Sequence, residues 1–133
     1  DNLPEDNDYN LKQGGTGCIA VATGDLNGDG KTDFVIGLTA QEGAGGLIVV
    51  ALASNRSWRL KVLDEWKDSR IRLFVDTREP GIYTHTAALD TLEKGEVERL
   101  VCRTSLAAFG ATESSEVVYC YSNGKWPHVW ISD

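Results

Sequence analysis

Gly24-Asp25-Leu26-Asn27-Gly28-Asp29-Gly30-Lys31-Thr32-Asp33 is an acidic stretch set between two apolar runs, residues 18–22 and 34–36. Oxygen-bearing side chains fall at alternate positions, Asp25, Asn27 and Asp29, so a tightly curled backbone can turn all three inward onto one hard cation. Gly30 supplies the sharp turn that such a curl needs. The backbone carbonyl of Lys31 and the carboxylate of Asp33 complete an oxygen cage of the kind calcium accepts. The expected metal ligands are therefore Asp25, Asn27, Asp29, Lys31 and Asp33, and the expected cofactor is Ca2+. The alternative is a solvated Asn-Gly/Asp-Gly hairpin turn without metal. It would leave three crowded carboxylates repelling one another, which argues against it.

An EF-hand would need a glutamate at the twelfth loop position and a helix on each side. The twelfth position here is Ile36, inside the run Phe34-Val35-Ile36, so that reading fails. The spacing D-x-N-x-D-G-x-x-D instead resembles the calcium loop of FG-GAP and related VCBS-type repeats. In those repeats the ninth position is an Asp and the loop joins two β-strands. The resemblance covers residues 24–37 and does not recur along the chain, so a full multi-blade propeller is not expected. What it implies is a calcium ion pinning the first hairpin, structural rather than catalytic, because protein oxygens nearly fill the coordination shell.

At 133 residues the chain is one domain by size, long enough to bury about two-thirds of its unfolded surface. Hydrophobic residues at 41% and charged residues at 25% are globular values, and no run is apolar enough to span a membrane. The net charge of −7 disfavours nucleic acid and anionic lipid and favours a cationic partner. The sequence starts at Asp1 and contains no Met, which reads as removal of an N-terminal segment. A cleaved signal peptide would explain this, as would a lipoprotein leader ending in a lipid-anchored cysteine just before Asp1, or simple trimming of the chain. Residues 1–17 then form a flexible tether and residues 18–133 a single calcium-binding β-domain, placed in the periplasm or outside the cell. Cysteine usage leaves its alternatives open. Cys102 and Cys120 lie in apolar β-like runs, and a disulfide between them would suit a secreted domain; without it both are free thiols. Cys18 reads as a small buried residue.

Residues 18–22, 33–38 and 47–53 read as buried strands, and residues 58–63 as a strand with one wet face, with a helix running through Trp66 as the alternative. Residues 70–75 alternate as a further half-buried strand, and 82–86 continue extended after the turn Glu79-Pro80-Gly81. Residues 91–96 are undecided between loop and helical turn. Residues 97–103, 106–112 and 117–121 are three more strands, and Ser122-Asn123-Gly124-Lys125 supplies the positive φ of a type I′ hairpin. The returning strand starts beside Pro127, which suits a sheet edge. The fold class is all-β: a mostly antiparallel meander of about nine or ten short strands, in a sandwich or small propeller-like sheet. Residues 113–133 are similar to the end of small bacterial extracytoplasmic proteins with one such calcium loop near their start.

No catalytic constellation emerges, so the protein is expected not to be an enzyme. His85 and His128 read as strand-surface residues without a third zinc donor, and Glu113 and Glu116 as solvated loop carboxylates rather than a glycosidase pair. Trp58 and Trp66 read as packing residues. Trp126 and Trp130 alternate on one face of the last strand and read as core, with a sugar platform as the alternative. Function is therefore expected from protein binding through loops. The candidate surfaces are residues 39–46 and residues 111–116, with Phe109, Glu113, Ser114, Ser115 and Glu116 as candidate partner-binding residues. Small size, export and β-class are together similar to the periplasmic immunity proteins that neutralise type VI secreted cell-wall hydrolases. That resemblance implies inhibition of a basic peptidoglycan hydrolase. A carbohydrate-binding or adhesion module of the FG-GAP type is the competing reading, and an uncharacterised hydrolase the third.

Overall fold

The computed structural model describes residues 20–40, 44–67 and 72–132. The expected tether at 1–17, Cys18 and part of the 39–46 loop lie outside the described residues. Ten strands and no helix are found among the described residues, and every strand ladder is antiparallel. The all-β, mostly antiparallel reading therefore holds.

Four consecutive strands, β1 (Val21–Gly24), β2 (Asp33–Thr39), β3 (Gly46–Ala53) and β4 (Trp58–Trp66), lie side by side in chain order as one meander. Their β-branched and aliphatic content suits a pleated surface. A second meander is formed by β5 (Leu73–Arg78), β8 (Leu106–Ala111), β9 (Glu116–Tyr119) and β10 (His128–Ser132). Between β5 and β8 the chain inserts a separate hairpin, β6 (Gly81–Thr84) and β7 (Arg99–Cys102). The β9–β10 connection is the expected tight turn, with φ of 51° at Asn123 and 80° at Gly124, both positive as a type I′ turn requires. β10 is an edge strand, which explains why Pro127 is tolerated beside it.

The layers pack as first sheet, second sheet, hairpin. Val35, Ile48 and Val50 of the first sheet meet Leu73, Val75, Phe109 and Tyr119 of the second. On the second sheet's other face, Leu106, Ala108, Val118 and Val129 meet Leu100 and Cys102 of the hairpin. The middle layer is thus covered on both sides, and β8, Leu-Ala-Ala-Phe-Gly-Ala, reads as a continuous apolar run for that reason. Each Val or Leu so buried contributes about 1.5–3 kcal/mol. Gly37 permits the close approach of the first two layers, since a Cβ there would collide with the Leu73 side chain. Cys102 and Cys120 form a disulfide with Cα atoms 5.9 Å apart, which resolves the open alternative and ties the hairpin to the end of β9.

Two packing expectations are corrected. β4 does not have one wet face and one buried one, because it is an edge strand with exposed residues on both faces. Trp58 is half exposed and meets the Phe34 ring edge-on, at 5.6 Å between ring centroids, whereas Trp66 does pack against the core. Trp126 and Trp130 are partly buried against the inter-sheet core, as the packing reading expected.

Candidate metal-binding loop

The acidic loop closes the β1–β2 hairpin, and Gly24 pairs with Asp33 at its mouth. Asp33 is fully buried. One carboxylate oxygen accepts the Leu26 N–H at 2.8 Å and the other the Ala53 N–H at 2.9 Å. A buried charge is tolerable only with such partners. Leu26, the apolar residue within this polar stretch, turns its side chain fully into the core, while its carbonyl accepts the Thr104 hydroxyl at 3.0 Å. The loop is therefore anchored from beneath.

Above this anchor the backbone curls around Asp25. Its carboxylate accepts the N–H groups of Gly28 at 2.8 Å, Asp29 at 3.2 Å and Gly30 at 2.8 Å. Gly28 and Gly30 hold φ of 77° and 81°, which side-chain-bearing residues rarely adopt. Asp29 caps the next turn by accepting the Lys31 N–H at 2.9 Å, and Asn27 Oδ1 faces the Asp29 N–H at 3.4 Å. As a result, one carboxylate oxygen from each of Asp25, Asp29 and Asp33 lies within 4.8 Å of the others. The Lys31 ammonium donates to Asn55 at 2.6 Å on the β3–β4 turn, so its side chain is committed elsewhere.

This donor set fits a divalent cation. Each carboxylate oxygen has two lone pairs, and Asp33 commits one on each oxygen to the backbone, leaving capacity for a metal. Hard oxygen donors at this spacing suit calcium better than a softer metal. The loop, its two flanking strands and the start of β3 carry a recognisable unit. Residues 19–50 match the family model of the FG-GAP repeat. The repeat spans β1, the acidic loop, β2 and residues 46–50 of β3. FG-GAP repeats often bind calcium, and they are typical of propeller-type or adhesion-like modules. Comparison with curated proteins finds no match, and comparison with solved structures finds none either.

The residues expected to bind a partner do not form one surface. Phe109 is 4% exposed, stacked on Tyr119 at 5.4 Å in the inter-sheet core, so it is no surface anchor. Glu116 lies on β9, not in a loop. Its carboxylate takes a two-pronged bond from Arg78, 2.8 Å from Nε and 2.7 Å from Nη2, while Arg78 Nη1 reaches Asp76 at 2.6 Å. Glu116, through that bond first, raises the Arg78 pKa above its ordinary value. Ser115 is half-buried, and its hydroxyl faces the Ala111 N–H. Only Glu113 and Ser114 of the set are exposed at the turn. Accordingly Glu116→Lys is expected to lower stability by about 1–3 kcal/mol, since it leaves Arg78 facing a like charge. Glu113→Lys is expected to leave the melting temperature unchanged, and paired thermal melts of the two variants check both.

The histidines are not strand-surface residues. His85 is half-buried and His128 is 8% exposed. His85 Nδ1 meets the Glu96 carboxylate at 2.6 Å and Nε2 meets the Leu89 carbonyl at 2.9 Å. Both partners are acceptors, so the ring satisfies both only as imidazolium. The bond to Glu96, followed by that to Leu89, raises the His85 pKa. Glu96 also accepts the N–H groups of Trp130 and Glu93, each at 2.9 Å. Burial pushes its pKa up, but these bonds and His85 together pull it below the ordinary value. Glu93 in turn holds His128 Nε2 at 2.6 Å, and the His128 ring stacks on Tyr119. No local pattern signals this network, because it joins the β9–β10 hairpin to the 85–98 connection.

A pH dependence follows from the pair. The His85 contribution is fully present below about 6.5 and is lost as pH rises through the raised folded pKa. The Glu96 contribution is fully present above about 4.5 and is lost as pH falls through the lowered folded pKa. Both are complete between those values. Thermal melts from pH 4 to 9 are expected to show the wild type losing stability on each side of that window relative to Glu96→Gln. Parallel curves for the two proteins would remove the linkage.

Proposed function

We propose that the protein is a non-enzymatic, calcium-stabilised β-module of adhesion-like type that acts by contact outside the cytoplasm. The observation that carries this reading is the convergence of Asp25, Asp29 and Asp33 within 4.8 Å at the mouth of the first hairpin of an FG-GAP repeat. Asn27 and the Lys31 carbonyl would complete the shell, and the ion would supply the countercharge that three neighbouring carboxylates need. Its effect would be to fix the loop against the β3–β4 turn rather than to activate a substrate.

The Cys102–Cys120 disulfide supports an oxidising compartment, the periplasm or cell exterior. No helix among the described residues is long and apolar enough to cross a membrane. The commitment of His85 to Glu96 and of His128 to Glu93 supports contact over catalysis, since groups so engaged are poorly placed to move a substrate proton. A net charge of −7 supports a protein or neutral ligand over nucleic acid. Inhibition of a cell-wall hydrolase, as by an immunity protein, would have to rely on Glu113 and Ser114 alone among the residues first assigned to it. The adhesion-like reading needs no such patch and is preferred.

Calcium titration tests the reading. A metal bound only by the folded chain stabilises by RT ln(1 + [L]/Kd), about 2.7 kcal/mol at a hundredfold excess over Kd. The expected result is a melting temperature that rises with calcium, falls with chelator and loses this response in Asp29→Ala. An identical midpoint with calcium and with chelator would sink the proposal.

A further inference from the structure

The face of the first sheet that is turned away from the second is apolar across all four strands. Strand register places Val21, Ile36, Val49 and Val62 in one row, and Thr23, Phe34, Ala51 and Leu60 in the next. Residues on this face alternate with the buried Val35, Ile48 and Val50 of the opposite face, so the sheet is apolar on both sides. Leu38, Trp58, Leu60 and Val62 all lie on it and are 50, 52, 69 and 47% exposed. Among the described strand residues, Glu65, paired with Leu47, is the one charge this face carries. Solitary exposed apolar residues need no explanation, but a contiguous row across a whole sheet marks an interaction surface.

The open edge of the same sheet is protected where the face is not. β4 carries a bulge between Val62 and Asp64, and its Arg59 and Lys61 alternate onto the inner face. Bulges and inward-directed charges are devices that discourage edge-to-edge pairing. What remains favourable is stacking, face against face.

We propose that this face binds its counterpart on a second copy of the chain, giving a two-fold symmetric dimer with the strands of the two sheets antiparallel. A nearly uncharged, self-similar surface is what an isologous interface requires. Charge placement favours the antiparallel arrangement, because it brings the β3–β4 turn, which carries Arg56, over the opposite sheet end, where Glu65 lies. Strands of 4, 7, 8 and 9 residues, rising about 3.4 Å per residue and spaced about 4.8 Å apart, give a footprint of about 450 Å² per copy. The two copies together bury about 900 Å², at the small end of the range for specific interfaces, so the dimer is weak and concentration-dependent. The inference does not depend on calcium binding, although saturating calcium is kept constant throughout its test.

Sedimentation velocity of the full chain over micromolar to millimolar concentrations tests it, with Leu60→Arg as the face variant. Leu60 is well exposed, so an unchanged melting temperature is expected to accompany a loss of dimer affinity of at least about tenfold. Arg56→Glu and Glu65→Arg should each weaken the dimer, and the double variant should recover it. A wild type that stays monomeric at millimolar concentration overturns the proposal and leaves the face for a different protein. A dimer that persists undiminished in Leu60→Arg overturns it as well.

Discussion

Asp33→Ala is expected to destabilise the domain by about 2–6 kcal/mol in chelator, and by the metal's contribution besides in calcium, because two N–H donors, one buried and one half-buried, lose their acceptor at about 1–3 kcal/mol each. Those donors belong to Leu26, at the base of the loop, and Ala53, at the end of β3, so one side chain joins the hairpin to its neighbouring strand. Water cannot replace it, as Asp33 is fully buried. Asp29 offers the contrast: it is exposed, and its carboxylate accepts a local bond, from the Lys31 N–H. Asp29→Ala is therefore expected to cost little in chelator and to cost the metal's contribution in calcium. Urea denaturation of both variants, with and without calcium, separates the strut from the ligand. A loss below about 1 kcal/mol for Asp33→Ala in chelator would show that the two N–H groups find other acceptors.

The second large effect is expected from the Cys102→Ala/Cys120→Ala double variant, at about 3 kcal/mol. The crosslink spans 18 residues, and releasing it restores the loop entropy of the unfolded chain. Alanine at both sites leaves no buried thiol to reoxidise. The loss should be uneven. The β6–β7 hairpin forms its own two-stranded sheet and is held through Leu100, Cys102 and their partners, so it should open before the central layers. Hydrogen exchange is expected to accelerate most at residues 81–84 and 99–102. Uniform acceleration, or an unchanged denaturation midpoint, would mean that apolar packing alone fixes the hairpin.

These effects differ in how far they could be read from residues alone. The acidic loop was legible because its geometry is local: alternating oxygens and two positive-φ glycines lie within ten residues, and Asp25 curls the backbone onto itself. The Asn123-Gly124 turn was legible for the same reason. The double role of Asp33 was not, since one of its partners, Ala53, is 20 residues away on another strand. Phe109 was misplaced because β8 is apolar throughout, and such a run does not reveal that both its faces are covered.

Spacing and composition by themselves determined the all-β class, the metal-type loop and the last hairpin, since each follows from dihedral preference and periodicity over a few residues. Only the tertiary structure decided which groups are free. It paired Glu116 with Arg78, enclosed Glu96 between His85 and the Trp130 N–H, and left Leu38, Trp58, Leu60 and Val62 exposed on one sheet face. Those outcomes depend on which strand lies at an edge and which is covered by a second layer. Long-range packing sets that arrangement, and no single segment encodes it.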